Sequence, residues 1–241
     1  MTALVRRDAA APPMVLLCGG QNSRLQALSG TIYKPFLPLQ NATLVARHIT
    51  RAVLAGVRDV TVVVDHMDPL VAAHVEGIAA DLCDTVCVRL LYCTGEPADK
   101  LRLYRKSTGL VPSSPVLAVL GDSYAWYDPF ALVKAASPPF DSALAVASYR
   151  IPFGVVTVTD GVIVRFQEKP DSGHLINAGQ MALGPAAFAS LDEGQDLASV
   201  LVGLADRRLL TAVTVGSALT TVDTLSDIAS AAASPHLKAS P

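Results

Sequence analysis

The sequence predicts an α/β fold built on a mostly parallel sheet, and three observations carry that prediction. Short continuous apolar runs recur at residues 14–18, 60–65, 86–92 and 116–120. Strands buried on both faces read this way, whereas strands with one wet face alternate. Between the runs lie longer stretches with apolar residues at helical spacing. A strand–helix–strand order closes a parallel sheet through right-handed crossovers. Apolar residues make up 51% of the 241 and charged ones only 17%, which supplies apolar surface for both sheet faces and excludes a disordered chain.

Each element follows in order. The first run, Met-Val-Leu-Leu-Cys, ends in Gly19-Gly20 and so enters a glycine loop. Residues 41–56 form an apolar-periodic segment closed by Gly56, the signature of a helix and its stop. Strand 60–65, helix 68–80 and strand 86–92 come next. Residues 93–114 are polar for this chain, with Lys100, Arg102, Arg105 and Lys106, and occupy the place of the next crossover. Strand 116–120 ends in Gly121-Asp122, and helix 128–136 is stopped by Ser137-Pro138-Pro139. After Phe140 the pattern changes to strands 142–149, 154–159 and 162–167. Asp160-Gly161 between the last two signals a hairpin. Strand 176–183, helices 185–191 and 196–206, strand 210–215 and a helix from Leu225 complete the chain.

One domain is expected over residues 13–232, a nucleotide-type parallel half (13–140) and a mixed half (141–232). A short flexible extension (1–12) and a tail (233–241) flank it. Arg6 and Arg7 precede no long apolar segment, so the extension does not read as a signal peptide. No apolar run approaches the roughly 18–20 residues of a membrane span. The net charge of −2 leaves no footprint for a nucleic-acid polymer. The four cysteines, with Cys83, Cys87 and Cys93 close together, lack paired CxxC spacing. They read as buried, reduced thiols of a cytoplasmic protein. The five histidines, at 48, 66, 74, 174 and 236, show no metal spacing either.

The chemistry starts at the loop after the first strand, Leu17-Cys18-Gly19-Gly20-Gln21-Asn22-Ser23-Arg24-Leu25. A strand followed by a glycine turn presents backbone N–H groups to phosphates. The loop matches neither the P-loop nor the dinucleotide fingerprint, and alone it fits a plain strand-to-helix turn equally well. Arg24 and Lys34 add cations at the carboxyl edge of a parallel sheet, where ligands of such folds bind. Lys34 lies in Tyr33-Lys34-Pro35-Phe36-Leu37-Pro38, whose two prolines predict an extended segment.

These residues carry a resemblance. Leu16 to Leu25 together with Lys34-Pro35 resembles the L-A-G-G-x-G-T-R-L…P-K-P-L signature of sugar-1-phosphate nucleotidylyltransferases. Further segments follow in the family's order: Leu120-Gly121-Asp122, Phe153-Gly154-Val155-Val156, Glu168-Lys169-Pro170 and Asn177-Ala178-Gly179. The resemblance implies a Rossmann-like, GT-A-type three-layer α/β/α sandwich with a mostly parallel mixed sheet and a small β-hairpin excursion. It also implies a reaction: a sugar 1-phosphate attacks the α-phosphorus of a nucleoside triphosphate and releases pyrophosphate.

By that resemblance Arg24 and Lys34 are the catalytic cations. Leu17, Gly19, Gly20, Asn22, Ser23 and Gly121 bind the nucleotide. Gly154, Glu168, Lys169, Asn177 and Gly179 bind the sugar phosphate, and Asp122 and Asp223 hold Mg²⁺. Asn22 stands where the signature has glycine, and residues 94–102 differ from the family's G-T-A type stretch near the nucleotide. At the second metal position an ungapped match places Thr221, and Asp223 lies two residues on. Tyr124 and Trp126 are expected either in the sugar pocket or in the core. Gly121-Asp122-Ser123-Tyr124 and the length look most like the heptose- and mannose-1-phosphate guanylyltransferases, so GTP is the expected donor. dTTP, UTP or CTP with a hexose phosphate is the alternative, and a binding protein that kept the fold without turnover is the rival from another class. A homodimer is left open.

Overall fold

The computed structural model describes residues 11–19, 33–82, 86–109, 114–215, 219–222 and 224–233. Seven strands form the central sheet. They are β1 (Met14–Leu17), β4 (Asp59–Val64), β5 (Cys87–Tyr92), β6 (Val116–Leu120), β8 (Ser142–Arg150), β11 (Asp171–Leu183) and β12 (Leu210–Thr214). Their order is β12-β8-β11-β6-β1-β4-β5. Only β11 runs against its neighbours, pairing antiparallel with both β6 and β8. The expected mostly parallel mixed sheet is therefore present.

Among the described residues, six helices cover the sheet on its two faces. Residues alternate across a strand, and β1 shows the consequence. Met14, Leu16 and Cys18 face α1 (Leu44–Leu54), α2 (Pro69–Asp81) and α4 (Pro129–Ala135). Val15 and Leu17 face α3 (Pro97–Thr108), α5 (Pro185–Asp192) and α6 (Leu197–Asp206). Every side chain of β1 is buried. A seventh helix, α7 (Leu225–Ala233), joins a smaller cluster in which Ala231 packs with Leu39, Leu44, Tyr124 and Val222.

The polar stretch 93–114 contains α3, whose start is a reciprocal capping box between Glu96 and Asp99, with Gly109 closing it at φ 63°. The segment around Lys34 corrects the extended expectation. Lys34–Phe36 is a single 3₁₀ turn, while Tyr33 and Leu37 on either side are extended. Pro35 fits there because the first turn of a helix needs no N–H from it. Strand β11 begins five residues earlier than its apolar pattern indicated. Of the thiols, Cys18 is buried, but Cys87 is exposed on β5, an edge strand. That corrects the expectation of uniformly buried cysteines. Cys83 lies outside the described residues.

Among the described residues there are also three small ribbons. β2 (Pro38–Leu39) pairs with β3 (Ala42–Thr43), β7 (Ser123–Tyr124) pairs with β13 (Thr220–Thr221), and β9 (Val155–Thr159) pairs with β10 (Val162–Gln167). The β9–β10 turn has Asp160 at φ 49° and Gly161 at φ 80°. Two successive positive φ values are what a tight hairpin with an Asp-Gly turn requires.

His48 on α1 locks the helix to β7. Its Nε2 lies 2.9 Å from the Ser123 carbonyl, so the ring N–H donates there. Burial lowers its pKa from 6.5 to about 4. The unfolded chain thus binds more protons than the folded one between those values. Stability is full above about pH 6.5 and falls toward pH 4, by about 3 kcal/mol for this group alone. Urea midpoints at about pH 7 and about pH 4.5 should differ more for the wild type than for His48→Gln. Equal pH slopes would contradict the assignment.

Candidate active site

The site forms where the sheet order reverses. From β1 the chain crosses to β4 and β5 on one side, then returns to β6 on the other. A crevice opens at the carboxyl ends of the strands flanking such a point. Gly121 N–H donates to the Leu17 carbonyl at 2.9 Å, which joins the two loops at their roots. Glycine is required here because a β-carbon at 121 would lie 2.8 Å from Cys18 Sγ and 3.0 Å from Pro35 Cγ. The same contact seats the Lys34–Phe36 turn against the end of β6. Tyr33 secures the turn from the other side, its hydroxyl accepting from the His66 N–H at 2.9 Å.

Asp122 follows at the mouth of β6. The Val222 N–H donates to its carbonyl at 3.1 Å, and Thr221 pairs with Ser123 across the β7–β13 ribbon. The ribbon therefore delivers residues 220–222 to the side of Asp122. Asp223 lies outside the described residues, as do Gly20, Asn22, Ser23 and Arg24. Gly179 abuts the same turn from β11. It has φ 85°, and a β-carbon there would overlap the Ser123 hydroxyl. Ser123 in turn donates to the Ala178 carbonyl at 3.1 Å. The structure thus gathers Leu17, Gly19, Lys34, Gly121, Asp122 and Gly179 around the carboxyl ends of β1 and β6.

Asn177 is two residues before Gly179, and its Oδ1 accepts from the Gly179 N–H at 2.9 Å. It lines a cavity of about 490 Å³ with Glu96, Pro97, Asp196, Leu197, Ala198 and Leu201. The wall joins the start of α3, the start of α6 and the middle of β11. Four of these seven residues are apolar, and the Glu96 and Asp196 carboxylates cap the helices they begin.

Gly154, Glu168 and Lys169 stand together at the base of the β9–β10 ribbon. A β-carbon at 154 would lie 2.6 Å from the Phe166 ring and 3.3 Å from Glu168 Oε2. Lys169 has φ 46° immediately before Pro170, a conformation that costs a lysine on the order of 1–3 kcal/mol. The Ile151 N–H to Pro170 carbonyl bond at 2.9 Å helps hold it. Tyr124 is buried in the core, whereas Trp126 is half-exposed with the Arg51 guanidinium stacked 3.5 Å over its ring. Trp126 lines a separate cavity of about 230 Å³ beside α1, not the one that holds Asn177. His174 is exposed on β11.

The structure adds a pair that the sequence reading did not assign. Lys100 Nζ lies 2.6 Å from Asp65 Oδ1 and 2.7 Å from the Gly95 carbonyl, with the Lys100 side chain 4% exposed. The Asp65 carboxylate rests on the glycine loop: a β-carbon at Gly19 would lie 2.7 Å from its Cγ. So the divergent 94–102 stretch sends a lysine to the carboxylate that Gly19 abuts. The available signals were an acidic residue ending an apolar strand and a lysine next to apolar helix position Leu101. Burial raises the neighbouring Cys18 thiol well above its ordinary pKa, with Asp122 adding to the effect. Removing one ion leaves the other buried and uncompensated. Lys100→Met should therefore cost about 3–5 kcal/mol in denaturant unfolding, and Lys100→Met with Asp65→Asn should recover most of it. A double variant as unstable as the sum of the singles would refute the coupling.

The sequence model of the nucleotidyl transferase family matches residues 13–193. No curated protein sequence matches the chain. Among solved structures, a Bacillus anthracis protein described as a glucose-1-phosphate thymidylyltransferase superposes with a TM-score of 0.72 at 18% identity, covering 92% of this chain and 94% of that one. HddC from Yersinia pseudotuberculosis gives 0.67 at 15% identity, covering 92% and 98%. A UDP-glucose pyrophosphorylase in complex with UDP-glucose gives 0.66 at 16% identity, covering 95% and 100%. At these identities the likeness is one of fold.

Proposed function

The chain belongs to the nucleotidyl transferase family, and from that premise we propose that it joins a nucleoside monophosphate to a sugar 1-phosphate. The donor is a nucleoside triphosphate and the by-product is pyrophosphate. One observation carries the reading. The glycine-rooted loops after β1 and β6, the Lys34 turn and Asp122 converge at the point where the sheet order reverses, beside the cavity that Asn177 lines. We assign GTP as donor on the resemblance of Gly121-Asp122-Ser123-Tyr124 to guanylyltransferases; dTTP, UTP and CTP are the competing donors. The cytoplasm, where free nucleotides and sugar phosphates meet, is the expected compartment.

A sugar-phosphate oxygen forms a bond to the α-phosphorus as the bond to the β-phosphate bridging oxygen breaks. Two anions must be held together in line, so charge neutralisation and positioning do most of the work. Gly19 lets the backbone approach the phosphates, and Lys34 neutralises charge at the reacting centre. Arg24 takes the leaving pyrophosphate in this scheme, on the strength of the family signature. Lys169 meets the sugar phosphate, and Glu168 and Asn177 accept from or donate to sugar hydroxyls.

The acidic residues fit magnesium. Among the described residues no three metal-ligating side chains gather, and magnesium is usually held by one or two carboxylates with phosphate oxygens and water completing its shell. Asp122 supplies one such carboxylate and Asp223 is the proposed second. When bound, the ion supplies Lewis-acid neutralisation of phosphate charge.

Pyrophosphate release should appear when the protein is given Mg²⁺, GTP and a panel of sugar 1-phosphates. Asp122→Ala should lower kcat/KM by roughly 100-fold or more. No turnover with any triphosphate, together with nucleotide binding that survives Asp122→Ala, would favour a binding protein. Lys169→Ala should weaken sugar-phosphate binding about 10-fold and leave nucleotide binding nearly unchanged. Calorimetry showing the reverse order would remove Lys169 from the sugar side.

A further inference from the structure

We propose that Arg102 is a positioning residue for the sugar 1-phosphate. Its guanidinium braces together the two helix starts that wall the cavity lined by Asn177, and so sets the width in which the acceptor sits. The clause on the acceptor rests on the proposed function.

One wall of the cavity is fixed by the sheet. Asn177 belongs to β11 and pairs with Val146 of β8. The other walls are helix starts: Glu96 and Pro97 at α3, and Asp196, Leu197, Ala198 and Leu201 at α6. The first turn of a helix lacks intrahelical partners for its N–H groups and depends on caps. Both starts are capped from within. Glu96 and Asp99 cap each other, and the Ser199 N–H donates to Asp196 Oδ1 at 2.9 Å. Those bonds shape each turn and leave open where one stands relative to the other.

Arg102 supplies that relation. Its Nη1 donates to Asp99 Oδ1 at 2.7 Å, its Nε to the Leu191 carbonyl at 2.7 Å and its Nη2 to the Gln195 carbonyl at 2.5 Å. Asp99 Oδ2 in turn accepts from the Glu96 N–H at 3.1 Å, so the first bond reaches one lip of the cavity. Gln195 immediately precedes the Asp196 cap, so the third bond reaches the opposite lip. A planar guanidinium offers a separate nitrogen to each acceptor, a fork that a lysine ammonium lacks. Helix α3 is itself fixed to the sheet, because Lys100 joins Asp65, the residue that follows β4. The contacts therefore run from β4 through α3 to the first turn of α6.

A cap on the end of α5 would explain the Leu191 bond alone. Arg105, three positions on and on the same side of α3, serves as the comparison. It pairs with Asp192 and donates to the Phe188 carbonyl at 3.4 Å. Those bonds also tie α3 to α5, and they touch neither lip of the cavity.

Hydrogen exchange of the full chain reads the brace without any activity assay. The reporters are the Glu96 N–H, bonded to Asp99, and the Gln195 N–H, which donates to the Ser190 carbonyl at 3.3 Å. Arg102→Met should speed exchange at both by about 10-fold or more, while Arg105→Met leaves both unchanged. Equal effects of the two variants, or acceleration at one lip alone, would overturn the brace. Kinetics then use whichever of glucose, mannose or heptose 1-phosphate the wild type turns over fastest. Arg102→Met should raise KM for that acceptor about 10-fold, with KM for the triphosphate and kcat nearly unchanged. Arg102→Lys should not restore it. Faster exchange with an unmoved acceptor KM, or full recovery with lysine, would overturn the positioning role. A wild type that turns over none of the three would overturn the acceptor clause together with the proposed function, and the exchange result would still decide the brace.

Discussion

The strand β1 is the constraint on which the remaining structure depends. It is hydrogen-bonded to β4 on one side and β6 on the other, in register along its whole length. Both of its faces are buried, each against its own set of helices. A strand enclosed in this way has no freedom to shift, since a one-residue slip would exchange the two apolar sets. The loops that leave β1 and β6 therefore start from fixed points. Their roots are so close that only glycine fits at 121, and Gly19 meets the Asp65 carboxylate with no room for a side chain.

Charge is scarce in this chain, and the structure places it with economy. Lys100 and Asp65 form a buried pair whose lysine also takes the Gly95 carbonyl, so the ammonium is shared between a carboxylate and a backbone acceptor. Buried charges persist only when paired and hydrogen-bonded. Arg47 is likewise enclosed, its guanidinium donating to the Leu39 carbonyl and Asn41 Oδ1 across the β2–β3 turn. His48 stays neutral under the same burial. The polar interior thus ties connecting segments to the sheet.

Much of this was legible in the sequence. The continuous runs of β1, β4 and β6 announced strands buried on both faces, and Asp160-Gly161 announced the hairpin. The glycines at 19, 121, 154 and 179 each proved to stand where a β-carbon would collide with a neighbour. Other features were not legible. Lys34–Phe36 turned because Pro35 packs on Gly121, a contact 86 positions distant in the chain. Cys87 is exposed because β5 is the edge strand, and strand order is not written in any one segment. The Asp65–Lys100 pair joins two elements whose local patterns say nothing of each other. Residues 162–167 read as an ordinary strand, and the irregularity between Ile163 and Arg165 shows only in the pairing register.

The sequence by itself determined the class of fold, the order of its elements and the family. These follow from local periodicity, turn chemistry and short motifs, all of which act over a few residues. Tertiary structure alone decided which residues meet. It set Ser123 against Gly179, carried residues 220–222 to Asp122, and paired Lys100 with the Asp65 carboxylate that Gly19 abuts. Those neighbours are chosen by sheet order and by the exclusion of side chains from the same volume, and packing of that kind is a property of the assembled chain.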